Sequence, residues 1–227
     1  NGRCISEGEN ATHCADLKRI RMATHFLRRV ELISEGFMRP EETHVDKGAR
    51  VWVVGCGNTA MDAARTAIRL GAEKVQVVYH RTIDSMSALR AEYDEAVAEG
   101  VEFLWESSIK EIHDINGELN EVVIEHHGEV RTERADKVIM AVGAVPASRI
   151  VSTTTGIDVD EKGYVLTREL PYGMTTRKGV FAGGDVAGRH ATVVHAMQDA
   201  KRVAEGMAQY VDAIKLLESI NMADEAQ

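Results

Sequence analysis

The chain has 227 residues, 44% of them hydrophobic and 28% charged, and a formal net charge of −9. That length holds one large domain or two modest ones, and the acidic balance argues against nucleic acid or an anionic membrane as partner. No apolar run approaches the roughly 20 residues that span a bilayer, and the polar start, 1–8, carries no signal-peptide core. Residues 1–16 read as a linker. From Asp16 a helical spacing begins, Leu17, Ile20, Ala23, Leu27, Val30, which predicts an amphipathic packing helix to about residue 35. A charged loop with Pro40 fills 36–48.

Residues 50–81 are the centre of the chain. The apolar run 51–54 ends in Gly55-Cys56-Gly57-Asn58-Thr59-Ala60. A helix follows, with Ala60, Ala63, Ala64, Ala67 and Ile68 at helical spacing, and then a second apolar run, 75–79. This predicts a βαβ unit with a phosphate loop at its first βα turn. Gly55 allows the tight turn, Gly57 lets the backbone approach a pyrophosphate, and Ala60 lets helix pack close to strand. The helix N-terminus at Asn58 and Thr59 offers amide groups and a positive dipole end to the anion. The end of the second strand selects the nucleotide, because a carboxylate there would bind a ribose 2′-hydroxyl and cations would pair with a 2′-phosphate. Here stand Tyr79-His80-Arg81, with no acid before Asp84. Arg81 favours NADP(H), with a solvated surface role as its alternative.

Beyond Arg81 a helix is predicted over 88–99, closed by Gly100, and a third parallel strand over 101–105. Asn116-Gly117 between 109–115 and 121–125 marks a hairpin, with a further meander strand at 130–134. His126-His127 beside Gly128 reads as a surface turn, not a metal site. A buried strand, 137–141, runs into Ala141-Val142-Gly143-Ala144-Val145-Pro146, so Gly143 is placed in a tight turn under the cofactor cleft. Residues 151–172 form a crossover with a short strand at 163–166. A buried strand then meets Gly183-Gly184-Asp185. Gly184 permits close backbone approach, and Asp185 sits at a strand's carboxyl end, where open α/β sheets bind ligands. The alternative is a structural Asp capping the turn. A long helix begins near Ala191, and its repeat of Val193, Val194, Met197, Ala200, Val203, Met207, Val211 and Ile214 reads as core. Cys4, Cys14 and Cys56 make no C-x-x-C and no metal spacing, which suits a reducing, cytoplasmic setting.

These motifs together resemble the NADPH-dependent flavoproteins of the glutamate synthase small-subunit family, which have a pyridine nucleotide-disulfide oxidoreductase-like fold. The residues that carry the likeness are VWVVGCGNTAMDAAR at 51–65, Tyr79-His80-Arg81, Met86-Ser87-Ala88 and the EAVAEGV run at 95–101. The Ala-x-Gly-x-x-Pro turn, VFAGGD at 180–185 and Thr192-Val193-Val194-His195-Ala196-Met197 add to it. Glu7-Gly8-Glu9-Asn10 is similar to the family's domain junction. His80 stands where the family usually has Arg, which softens the expected NADPH preference.

The resemblance implies an α/β fold: a Rossmann-like three-layer NAD(P)H-binding domain over 36–150 with an antiparallel meander insert. The junction linker and helix would occupy 1–35, and the carboxyl-terminal segment of a discontinuous FAD-binding domain would occupy 151–227. The family's amino-terminal FAD unit is not found in the sequence, so a fragment with an incomplete FAD site is expected. Hydride would pass from NADPH to FAD, and electrons onward to an iron–sulfur centre or a larger catalytic subunit. By the same resemblance Asp185 would hydrogen-bond the flavin's ribityl or pyrophosphate region. The helix N-terminus at Thr192 and Val193 would point at its ring. No catalytic residue is assigned, and His195 is read as structural. The rival readings are a non-catalytic NADP(H)-binding module and a disulfide-reductase relative without its Cys-x-x-Cys.

Overall fold

The computed structural model describes residues 3–4, 19–43, 45–116, 118–143, 151, 153–188 and 192–224. The chain divides into two compact units, 1–143 and 144–227.

The first unit is built on a parallel sheet of β2 (Ile20–Met22), β3 (Arg50–Val54), β4 (Lys74–Val78), β5 (Glu102–Leu104) and β9 (Lys137–Met140), in the order β2-β9-β3-β4-β5. Successive side chains of a strand point to opposite faces, and here both faces are covered, so β3 after Arg50 is a continuous apolar run and β4 after Lys74 is broken only by the buried Gln76. Val51, Val53, Val75, Val77 and Ile139 pack with the helices α1 (Ala23–Ser34), α2 (Asn58–Arg69) and α3 (Arg90–Ala98). Trp52, Val78, Val138 and Met140 pack instead on Ile109, Ile112, Val122 and Ile124. These belong to an antiparallel sheet of β1 (Arg3–Cys4), β6 (Ser107–Ile115), β7 (Glu118–His126) and β8 (Glu129–Arg134). The result is the expected three-layer α/β arrangement, with the meander covering one face of the sheet. The Trp52 indole donates to the Arg134 carbonyl across that interface, 3.1 Å.

Alanine makes the other interface close. Ala60, Ala63, Ala64 and Ala67 are fully buried along α2. On its outer side Arg65 reaches Glu92, Glu95 and Glu99 of and just beyond α3, at 3.0, 2.6 and 2.8 Å. Hydrogen bonds from Arg69 and then Arg65 hold the Glu99 carboxyl below its ordinary range.

Three expectations need correction. Ile20 lies not in a helix but in β2, paired in parallel with β9, and the helix starts at Ala23. A three-residue strand is too short to display alternation, and Ile20, Ala23 and Leu27 imitate a helical period. Residues 16–18 lie outside the described residues, as does most of the expected linker, although Arg3–Cys4 pairs with β6 as an edge strand. The short strand expected at 163–166 is replaced by β10 (Thr167–Glu169), and Val165 makes only an isolated bridge to Val159.

The second unit pairs β10 with β11 (Tyr172–Thr175) and packs α4 (Val193–Asp224) on β11 and on the turn at 184–187. Its helix corrects the third expectation. The face turned inward carries Ala196, Asp199, Val203, Gly206 and Tyr210, at spacings of three and four. Ala196 lies against Gly184, Asp199 and Val203 against Gly183, Gly206 against Tyr172, and Tyr210 against Phe181. Val193, Val194, Met197, Met207 and Val211 are 45–75% exposed and Ile214 is 37% exposed. Close approach to backbone selects small residues, so the packed face is not the most hydrophobic one.

At the amino end of β9, Lys137 is fully buried. Its Nζ donates to the Thr43 carbonyl at 2.7 Å and lies 5.5 Å from the centre of the Phe26 ring. Burial, with the charges of Arg21, Arg19 and Arg29 and against that of Asp46, lowers its pKa from 10.5 to about 7. The unfolded chain therefore binds the extra proton between pH 7 and 10.5, and stability rises with pH across that window. Unfolding in urea is expected to show a gain of about 2 kcal/mol between pH 7 and pH 9. Lys137→Met is expected to abolish most of that slope, and an unchanged slope would contradict this account.

Candidate functional site

Gly55 follows β3 at the carboxyl edge of the parallel sheet. Its φ is +116°, a conformation glycine adopts easily. A Cβ there would lie 2.3 Å from the Ala141 carbonyl oxygen and 2.8 Å from the Ala141 carbonyl carbon. The residue is thus fixed by the close passage of the chain leaving β9, and by a hydrogen bond from its amide to the Val78 carbonyl, 3.0 Å. Gly57 is different. It is extended, it precedes α2 without any side-chain cap, and a Cβ would meet only the Ser87 hydroxyl at an ordinary 3.4 Å. Nothing among the described residues requires glycine at that position. Ala60 and Met61 donate their amides to the Gly57 carbonyl, at 2.9 and 3.2 Å. The amides of Asn58 and Thr59, at the open start of the helix, have no partner among the described residues.

The loop is buttressed by the segment that leads into α3. The Ala88 amide and the Ser87 hydroxyl donate to the Cys56 carbonyl, at 3.1 and 3.3 Å. The Leu89 amide donates to Asn58 Oδ1 at 2.8 Å. The side chain of Asn58 is therefore engaged in joining α2 to α3, and Met86-Ser87-Ala88 forms the support of the glycine loop. Cys56 is buried, and burial pushes its thiol up to about 11.

The end of β4 is fixed by the β5–β6 connection. The Tyr79 amide donates to the Leu104 carbonyl, and the Ser107 amide to the Tyr79 carbonyl, both at 3.0 Å. The Tyr79, Tyr93, Phe103 and Trp105 rings cluster beside it. His80 and Arg81 lie on the exposed rim. Arg81 Nε donates to His80 Nε2 at 3.1 Å, a bond that uses neither terminal guanidinium nitrogen. Gly143, with φ +91°, follows Ala141 and Val142. The structure thus brings Gly55, Gly57, Asn58, Thr59 and Ala60 together at one sheet edge, places His80 and Arg81 after β4, and places Gly143 after β9. Residues 144–150 lie outside the described residues.

In the second unit, Gly184 has φ +69° and begins a short turn, 184–187, in which the Asp185 side chain is exposed. Thr192 precedes α4. Its hydroxyl accepts from the His195 amide at 3.3 Å and bonds His195 Nδ1 at 2.7 Å, so His195 is occupied in the cap. Val193 is 75% exposed in the first turn. One residue escaped the sequence reading. Asp199, 5% exposed, accepts from the Gly184 amide and from the Tyr172 hydroxyl, both at 2.5 Å. The signal was an acid on the inner, small-residue face of a helix otherwise judged by its apolar positions.

Residues 9–200 match the model of the pyridine nucleotide-disulphide oxidoreductase family. The chain belongs to this family. It is 36% identical over 186 residues to the glutamate synthase [NADPH] small chain of Halomonas elongata, covering 73% of this chain and 39% of that protein. It is 35% identical over 185 residues to that of Azospirillum brasilense, covering 73% and 38%. The chain therefore spans about two fifths of the length of these relatives. Among solved structures, thioredoxin reductase of T. acidophilum superposes with a TM-score of 0.71 at 21% identity, over 94% of this chain and 64% of that one. That likeness confirms the fold expected of the family. Among the described residues, no helix is long and apolar enough to cross a membrane.

Two substitutions separate the demands on the two glycines. Gly55→Ala forces a backbone clash and a strained φ, and is expected to lower stability by about 2–4 kcal/mol in urea unfolding. Gly57→Ala is expected to stay within about 1 kcal/mol of the parent by the same measurement.

Proposed function

We propose that the chain receives NADPH in a flavoprotein oxidoreductase, as the name of its glutamate synthase relatives implies. The observation that carries this reading is the uncapped start of α2 beside Gly57, at the carboxyl edge of β3. Backbone amides and the helix dipole there suit a pyrophosphate, and the room beside Gly57 has no internal use. The Asn58 and Thr59 amides hold that group, and the buried Ala60 lets the helix that carries them pack close to the strand. Arg81, joined by His80, pairs with a ribose 2′-phosphate through its terminal nitrogens. Gly143 leaves the approach to the nicotinamide end open.

In the second unit, the exposed carboxylate of Asp185, after the buried Gly184, fits a flavin's hydroxyl-bearing chain. The Thr192-capped start of α4, with Val193, faces the ring. When both cofactors are bound they supply hydride transfer, and the protein orients them and shields them from water. The apolar outer face of α4 suits the remaining part of a flavin domain as its cover. By this reading the electrons would pass on to an iron–sulfur centre or a larger subunit. The reading places the protein in the cytoplasm.

Titration with the two nucleotides tests the first site. Arg81→Ala is expected to weaken NADPH by about tenfold and to leave NADH within about twofold. Equal losses would remove the 2′-phosphate assignment. For the flavin, the visible spectrum of the natural holoprotein decides. Absorbance near the flavin bands that NADPH bleaches supports the oxidoreductase, whereas NADPH binding with no bleaching favours a binding module alone.

A further inference from the structure

The buried carboxylate of Asp199 has no place in the chemistry proposed above, and its surroundings are unusual. Each of its oxygens accepts a 2.5 Å hydrogen bond, Oδ1 from the Tyr172 hydroxyl on β11 and Oδ2 from the Gly184 amide in the turn. A single side chain thus joins the strand, the turn and the helix. The packing around it admits little adjustment. A Cβ on Gly183 would lie 2.7 Å from Asp199 Oδ2 and 2.9 Å from a Val203 methyl. A Cβ on Gly206 would lie 2.3 Å from the Tyr172 carbonyl oxygen. The Arg202 guanidinium stands 3.8 Å from the centre of the Tyr172 ring, on the residue whose hydroxyl meets Asp199.

We infer that Asp199 is a positioning residue: it sets the turn at 183–186 so that the neighbouring Asp185 carboxylate is presented to its ligand. The inference rests on the proposal that this turn faces a flavin. Gly184 holds a left-handed φ of +69°, and its peptide is oriented by the bond its amide makes. Asp185 is the next residue, and its carbonyl already accepts from the Gly188 amide at 3.1 Å. With the turn tied at both ends, the exposed carboxylate projects from one backbone conformation. A hydrogen bond in a site this dry is among the stronger ones, so its loss frees the turn to sample others. An amide side chain keeps the arrangement, because its carbonyl accepts from Gly184 and its NH2 donates to the Tyr172 oxygen.

The experiment uses the natural holoprotein and four variants: Asp199→Ala, Asp199→Asn, Tyr172→Phe and Asp185→Ala. Three quantities are read: amide hydrogen exchange across 183–186, the FAD dissociation constant, and NADPH binding to the loop at 55–60 as a check on the fold. Asp199→Ala is expected to raise exchange in the turn and to weaken FAD, each by about tenfold or more, with NADPH binding unchanged. Asp199→Asn is expected to restore both to within about threefold, a rescue that mere filling of space would not give. Exchange in the turn that is unaffected by Asp199→Ala overturns the inference. So does a loosened turn that holds FAD as tightly as the parent while Asp185→Ala releases it. If Asp185→Ala itself leaves FAD affinity unchanged, the reading of the turn as flavin-facing fails, and the inference with it. Should Asp199→Ala not fold, Tyr172→Phe removes one hydroxyl from the same cluster. A rise of about threefold in both quantities supports the positioning role, and no change in either overturns it.

Discussion

At the carboxyl edge of the parallel sheet, the backbone at Gly55 passes so near Ala141 that no side-chain atom fits between them. That approach brings the ends of β3 and β9 together, and the glycine loop is folded in the space it leaves. The loop then turns into α2, whose four buried alanines hold the helix against the sheet. From this one contact follow the direction of the helix N-terminus and the place of Gly57 at its mouth. The support beneath, Ser87 and Ala88 on the Cys56 carbonyl and Leu89 on Asn58, keeps the loop from relaxing into some other turn.

The sheet carries two unlike coverings. Helices α1 to α3 pack on one face, and the Arg65 and Arg69 guanidinium groups tie α2 to the acids of α3 and to Glu99 just beyond it. The antiparallel sheet packs on the other through β6 and β7. Because both faces are dry, the interiors of β3 and β4 are apolar except for Gln76, whose side chain is satisfied by Glu102 on β5, and their ends are the places that carry polar function. His80 and Arg81 occupy such an end, as does the glycine loop. In the second unit the same economy appears at smaller scale: Gly173, Gly183 and Gly206 permit near contact between strand, turn and helix, and Asp199 supplies the polar bond at their centre.

The parts of this fold that were legible in the sequence are those with a strong local signature. An apolar run before Gly-x-Gly-x-x-Ala, the alanine face of α2, and the hairpin pairing of β6 with β7 each announce one structure, and each is found. β2 was not legible, since three residues cannot display a period of two and its partner β9 is more than a hundred residues away. The inner face of α4 was misjudged because hydrophobicity ranks side chains by their transfer from water, whereas this interface is chosen by how closely two backbones approach. Asn58 and Asp199 show a related limit. Sequence spacing places Asn58 at the helix start, but only the fold reveals that its carbonyl is spent on Leu89. Likewise only the fold brings Tyr172 and Gly184 to one carboxylate.

The thiol of Cys56 lies between the two loop glycines, buried and held neutral to about pH 11. Peroxides and disulfides attack thiolates, not thiols. At neutral pH the anionic fraction of this sulfur is smaller by about two orders of magnitude than that of an exposed cysteine. The loop is thereby shielded from autoxidation at this sulfur, and the dense packing around it leaves no room for the second half of a mixed disulfide.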